Sequence, residues 1–297
     1  MLNIPEFHLP SPLDILIHPD LKIAEVEIRF KRDDKIHSEV SGNKWRKLKY
    51  NLSEAISQGH STILTFGGGF SNHIYATAKA CQLLGLKSIG IIRGDYFPSL
   101  SPTLQFAQSC GMTLKFVSKK QFEERDSSGF KKKIGLELGD FYMVPEGGGN
   151  TLGVKGCAEI LAEINWQFDT VVVPCGTGTT LAGLIKSLKP DQTAIGISVL
   201  KDGGSIEERI KVYTGQEKLN WEILYGYEGR GYAKVDKDLH FFKADFEAHT
   251  GILLDYVYTS KMMYALFSEV KRGRWKPGSR ILAIHTGGLQ GNEGFRF

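Results

Sequence analysis

The chain has 297 residues, 41% apolar and 24% charged, enough for one large α/β domain or two modest ones with full cores. Its 37 basic and 33 acidic side chains leave a net charge of +4, which suits small anions and is too slight and scattered for nucleic acid. No apolar run approaches the ~18 residues that span a bilayer, and the opening MLNIPEFHLPSPLDIL lacks the basic-then-apolar order of a signal peptide, so a cytoplasmic protein is expected.

After the Pro-rich entry, KIAEVEIRFKR (22–32) alternates apolar and charged residues with period two, as an exposed edge strand does. KWRKLKYNLSEAISQG then predicts a helix ending at Gly59, and STILTF (61–66) a short buried strand. NHIYATAKACQLLG (72–85) is a helix, KSIGIIR a strand, SPTLQFAQSCG a helix and TLKFVS a strand. KKQFEERDSSGFKKKIGLELG reads as a charged helical surface segment, and FYMVPEGGGN (141–150) as a strand running into glycines. Helical TLGVKGCAEILAEINWQ leads to the apolar strand TVVVP (170–174), and further alternation ends in the strand ILAIHTGG (281–288). The basic cluster KRGRWKPGSR (271–280) holds Gly and Pro and reads as a solvated helix end and loop.

About eight strands alternating with helices predict an α/β fold of two doubly wound lobes with parallel-rich sheets. The split expected is a smaller lobe over 51–150 and a larger one from 1–50 and 151–297. Cys81, Cys110, Cys157 and Cys175 form no CxxC pair and no zinc spacing, so reduced thiols and no metal site are expected.

Four predicted strands run into glycines: LTFGGGFSNH, MVPEGGGN, VVPCGTGTTLAG and AIHTGG. In parallel α/β folds ligands bind beyond such strand ends, where free N–H groups and helix N-termini gather. VVPCGTGTTLAG lacks the Lys-Ser/Thr of a nucleoside-triphosphate loop, and Gly183 is out of step with a dinucleotide fingerprint. What remains is an anion nest. Gly176 and Gly178 let the backbone wrap, and Thr177, Thr179 and Thr180 add hydroxyl and N–H donors, a set suited to one phosphate monoester. In GGGFSNH, Ser71 or Asn72 can cap the following helix, and an anion such as a substrate carboxylate fits there equally.

These features together resemble the pyridoxal-phosphate enzymes of fold type II, tryptophan-synthase-like, and within them the 1-aminocyclopropane-1-carboxylate deaminase and D-cysteine desulfhydrase family. FKRDD followed by SGNKWRKL is similar to that family's KRDD…GGNKxRKL, GGGFSNH to GGxxSNH, PEGGGNTLG to PEGGSNxLG, and LLDYVYTSKMM to LDPVYTGKAM. HTGG matches the last strand, so the likeness runs from residue 30 to 288. The resemblance implies pyridoxal 5′-phosphate in the cleft between the lobes, bonded to Lys44; Lys47 and Lys49 lie further along the helix and are expected to be solvated. It further implies that Ser71 holds the substrate carboxylate and Asn72 the cofactor's ring oxygen. Cys175 and Gly176 to Thr180 cradle the phosphate, Tyr258 packs on the ring, Tyr232 lies near the substrate and Thr286 touches the cofactor. Core packing is the competing account of both tyrosines. A small amino-acid substrate and a homodimer are expected.

Phe70 stands where the family has Gln, Ile74-Tyr75 where polar or basic residues are usual, and LDYVY lacks the usual Pro, which leaves substrate choice open. Ring-opening deaminases of the family carry Glu after the ring-packing tyrosine and Leu before the last Gly-Gly. Here these are Thr259 and Thr286, the desulfhydrase-like pair. A hydroxyl near the pyridine nitrogen makes the ring a weaker electron sink than a carboxylate does, which suits β-elimination to a 2-oxo acid and ammonia. Cyclopropane ring opening, β-replacement and a non-catalytic amino-acid sensor on the same fold are the alternatives. A dehydrogenase would need a dinucleotide site that the sequence lacks.

Overall fold

The computed structural model describes residues 7–94, 99–201, 205–215, 220–229, 231 and 235–295. Its elements run β1 (Leu13–Ile15), α1 (Pro19–Ala24), β2 (Glu27–Lys31), α2 (Asn43–Ser57), β3 (Thr62–Gly67), α3 (Asn72–Leu83) and β4 (Lys87–Arg93). They continue through α4 (Pro102–Ser109), β5 (Met112–Val117), α5 (Lys119–Glu123), α6 (Ser128–Leu138), β6 (Tyr142–Met143) and α7 (Thr151–Ala158). The last are β7 (Thr170–Cys175), α8 (Thr179–Ser187), β8 (Thr193–Ser198), α9 (Ser205–Thr214), β9 (Trp221–Leu224), α10 (Lys237–Thr250), α11 (Thr259–Lys271) and β10 (Arg280–Ile284). No helix among the described residues is long and apolar enough to cross a membrane.

Two sheets result. The larger has the order β1-β2-β10-β7-β8-β9, parallel throughout except that β1 pairs antiparallel with β2. The smaller is the parallel sheet β5-β4-β3-β6. Strands covered on both faces need apolar residues throughout, and β7 supplies them: Val171, Val172 and Val173 are fully buried. Val172 packs with α10 and α11 on one face, while Val171 and Val173 pack with α8 and α9 on the other. Under the smaller sheet, Leu48, Leu52 and Ala55 of α2 share a core with Ile63, Ala76 and Val144. Helix α2 therefore lies against the smaller sheet, across the boundary expected at residue 50.

Two sequence expectations change. The period-two stretch 22–32 is not an edge strand: Lys22 to Ala24 belong to α1, and β2 lies between β1 and β10. Pro19 at the first turn and the His18 side chain, which accepts from Asp20 N at 3.2 Å, start that helix. The charged segment 119–139 is two helices, each opened by a serine cap: Ser118 in a capping box with Gln121, and Ser127 on Phe130 N. The basic stretch after α11 is exposed, as read from its glycines and proline. All four cysteines are unpaired.

Candidate active site

The turn before α2 is clamped from both sides. Gly42 N donates to Asp33 O (2.8 Å) and Asn43 N to Thr286 O (3.3 Å), while Asn43 Nδ2 donates to Thr180 Oγ1 (3.0 Å). Gly42 adopts φ +64°, and a Cβ there would lie 1.9 Å from Thr286 O, so only glycine fits. The turn thus joins the end of β10 to the start of α8 and sets Lys44 as the second residue of α2.

Lys44 is half-buried. Burial, and then the charge of Lys47, pulls its pKa from the usual 10.5 to about 7. Its amine is therefore largely free of its proton just above neutrality. Lys47 departs from expectation. It is 3% exposed rather than solvated, and among the described residues it pairs with no carboxylate. Burial lowers its pKa, and the groups opposing that are the Cys157 and Cys175 thiols. Lys49 is half-buried and paired with Glu159.

His73 adds a neutral ring beside these lysines. Thr65 has one hydroxyl proton, which it gives to Val144 O (2.9 Å), so His73 Nε2 must donate to Thr65 Oγ1 (2.8 Å). Nδ1 is then a buried lone pair without a partner. Burial, Lys44 and Lys47 all hold the ring's pKa well below its usual 6.5.

The glycine loop leaves β7 at Cys175, whose thiol is buried and pushed up to about 12, so it is no nucleophile. Gly178 caps α8 in the left-handed region at φ +79°. A Cβ on Gly176 would meet Tyr258 Cε1 at 3.4 Å, so the tyrosine ring rests against the bare loop. Thr177 and Thr179 share a hydroxyl hydrogen bond (3.0 Å), and Arg209 Nε donates to Thr177 O (3.2 Å). The loop 145–150 folds over this nest, held by Tyr213 OH donating to Gly149 O (2.8 Å).

Ser71 does cap α3, accepting from Ile74 N at 3.3 Å. Asn72 Oδ1 accepts from Gln290 Nε2 (2.6 Å), which leaves its amide hydrogens for a ligand. Ile74 is fully buried, packed against Gly67 and Gly90, and so belongs to the core. Tyr75 stacks on Phe106 with centroids 3.8 Å apart. Phe70 lies against Gly294 and is 42% exposed. Tyr232 lies outside the described residues.

Thr259 has an unexpected neighbour. Its hydroxyl donates to Asp255 Oδ1 (2.7 Å) and accepts from Asp255 N (2.8 Å). Asp255 is buried and also accepts from the backbone N–H of Val257, Tyr258 and Thr259, each at 2.9 Å. Burial raises its pKa against those hydrogen bonds. A carboxylate thus stands directly behind the hydroxyl. Among the described residues, His18, Asp245 and His249 also gather. Their atoms bond within the group, His18 Nε2 to Asp245 Oδ2 (3.4 Å) and His249 Nδ1 to Asp245 O (2.9 Å).

The residues fit a phosphate-bearing aldehyde. An unpaired buried ammonium, a loop bare at Gly176 and Gly178, and threonine hydroxyls match a phosphate monoester, and a lysine with pKa about 7 matches the aldehyde. Sequence reasoning missed Asn43, Lys47, His73, Asp255 and Gln290. The spacing of Lys44 and Lys47, three apart on one helical face, was the available signal.

Residues 10–287 match the family model "Pyridoxal-phosphate dependent enzyme". The chain is 34% identical over 96% of its length to the bifunctional D-cysteine desulfhydrase/1-aminocyclopropane-1-carboxylate deaminase of Arabidopsis thaliana, of which it covers 77%. It is 31% identical over 95% of its length to a putative 1-aminocyclopropane-1-carboxylate deaminase of Pyrococcus horikoshii, covering 90% of that protein. The crystal structure of an ACC deaminase homologue superposes with a TM-score of 0.85 at 28% identity, over 97% of this chain and 92% of the other. The two-sheet fold is that of the fold type II enzymes, and the chain belongs to the pyridoxal-phosphate-dependent enzyme family.

Proposed function

We propose that this enzyme eliminates a β-leaving group from a small amino acid such as D-cysteine, releasing a 2-oxo acid, ammonia and the leaving thiol. The observation that carries this reading is Thr259. Its hydroxyl proton is committed to Asp255 Oδ1, so a ring nitrogen beside it is offered no free proton. An unprotonated ring is a modest electron sink, which favours reactions whose negative charge departs with a good leaving group.

When bound, the cofactor supplies an aldehyde for the lysine amine and a ring that withdraws electrons from the substrate's α-carbon. The chain's residues do the rest. Lys44 Nζ, free of its proton above about pH 7, takes the α-proton from the substrate. Gly176 to Thr180, with Lys47, would hold the phosphate, and the Asn72 amide the ring oxygen. Ser71 keeps its hydroxyl hydrogen for a substrate carboxylate while its oxygen caps α3. Tyr258, against Gly176, would cover the ring.

The four unpaired thiols suit a reducing cytoplasm. Pairing of two chains belongs to the same reading; sedimentation giving one 33.0 kDa species would remove it. The decisive experiment compares turnover of D-cysteine, L-cysteine, β-chloro-D-alanine and 1-aminocyclopropane-1-carboxylate. Elimination from D-cysteine or the chloro compound is expected to be fastest. If 2-oxobutyrate forms from the cyclopropane substrate faster than either, ring opening is the function instead. Both named activities of the Arabidopsis relative make that the second reading.

A further inference from the structure

Lys261, the third residue of α11, is 1% exposed. Its ammonium donates to three backbone carbonyls: Glu228 O at 2.8 Å, Gly231 O at 2.9 Å and Val199 O at 3.3 Å. An ammonium has three protons, and three carbonyls use them all. None of these partners is a carboxylate, although buried lysines are ordinarily paired with one. Backbone carbonyls converging on one positive charge form the donor set that holds a monovalent metal cation.

Lys261 and one of its carbonyl partners, Val199, connect directly to the glycine loop. Val199 follows β8, and its N–H donates to Cys175 O (3.1 Å), where the glycine loop departs. Tyr258, three residues before Lys261, rests against Gly176 of that loop. Glu228 and Gly231 are joined by a hydrogen bond from Gly231 N to Glu228 O (3.1 Å). Glu228 Oε2 accepts from Gly226 N (2.9 Å), so the carboxylate is held by its own segment while the carbonyl faces the lysine.

We infer that Lys261 is a positioning residue whose ammonium serves as a built-in monovalent cation. It ties the start of α11, the end of β8 and the backbone at Glu228 and Gly231 into one fixed wall beside residues 176–180. The inference rests on the cleft being the catalytic site, and it makes the unsubstituted enzyme indifferent to potassium.

The test uses Lys261→Ala, which opens a cavity at the carbonyls, and Lys261→Met, which keeps the stem in place. Both are measured in tetramethylammonium buffer and again after replacing it with potassium or ammonium at constant ionic strength. For Lys261→Ala, turnover in tetramethylammonium is expected to fall about 10-fold or more, as when three buried hydrogen bonds are lost. Potassium or ammonium is expected to restore most of it, and to raise the unfolding temperature of the cofactor-free variant. Lys261→Met is expected to stay impaired in every salt, and the unsubstituted enzyme to respond to none. Equal unfolding temperatures of Lys261→Ala in potassium and tetramethylammonium would overturn the inference, as would a potassium requirement in the unsubstituted enzyme. If Lys261→Ala folds poorly, refolding yields in the two salts are compared, and equal yields overturn it as well. A failed cofactor reading is distinguished separately, because the unsubstituted protein would then lack an absorption band at roughly 410–420 nm.

Discussion

Helix α2 buries cations on two sides, and the two sides treat them differently. On one side Arg46 donates Nε and Nη2 to the two oxygens of Asp33 (3.0 and 2.9 Å) and Nη2 to Glu163 (2.9 Å). Glu163 also takes Lys31 Nζ (2.6 Å), and these charges hold the guanidinium's pKa above its usual value. On the other side Lys44 and Lys47 have no carboxylate partner among the described residues, and the pKa of each falls. A buried charge ordinarily brings its counter-ion with it. Where the fold leaves two lysines without one, each holds its proton less firmly and a ligand's anion completes the electrostatics. The paired side is scaffold, and the unpaired side is chemistry.

That contrast can be broken by substitution. Lys44→Ala is expected to lower turnover by about 10⁴-fold or more while leaving the fold intact, read by steady-state kinetics and circular dichroism. Borohydride reduction followed by peptide mapping should label Lys44, and a label on Lys47 or Lys49 would reassign the nucleophile. Asp33→Ala takes two hydrogen bonds from buried Arg46, which keeps Glu163, and leaves the site with excess positive charge. It is expected to cost about 3 kcal/mol of stability by urea unfolding, with or without cofactor. Lys47→Met is expected to weaken cofactor binding roughly 10- to 100-fold in equilibrium titrations. It should leave the cofactor-free protein no less stable, since an unpaired buried charge is removed. If Lys47→Met instead destabilises the cofactor-free protein as Asp33→Ala does, the two sides of α2 are not different in kind.

The smallest effect concerns pH. The folded pKa of Lys44 is about 7 against an ordinary 10.5, so between those values the unfolded chain binds more protons than the folded one. Stability of the cofactor-free protein should therefore climb with pH across that window, and Lys44→Ala should flatten the climb. Urea midpoints at pH 7 and pH 9 check the sign.

The alternation of strands and helices was plain in the chain, and so were the glycine ends that border the cleft. Those signals are local: apolar runs, turn glycines and caps within a few residues. What escaped depended on distant partners. The stretch Glu27–Lys31 alternates as an edge strand does, but β10, some 250 positions later, covers its open side (Arg280 opposite Glu27). Lys47 reads as a surface lysine because nothing near it shows what packs on α2. Gly148 decides that: a Cβ there would lie 2.8 Å from Lys47 Cβ, so the bare glycine lets the loop before α7 close over the lysine. Thr259 could be read from its motif, yet its bond to Asp255 needed the bend between residues 255 and 259 to be seen.

The strand order also has a consequence for how the enzyme is made. β10 leaves the ribosome after every other described strand, yet it lies between β2 and β7, and the segment after it supplies the carbonyl that fixes the Lys44 turn. The early ribbon β1-β2 and the later block β7-β8-β9 have no hydrogen bonds to one another without it. A nascent chain that has reached residue 270 can therefore carry its lysine and its glycine loop while neither is seated, because parallel pairing across such a separation is slow and waits for β10. The site is therefore seated only once β10 has been made and has paired on both sides.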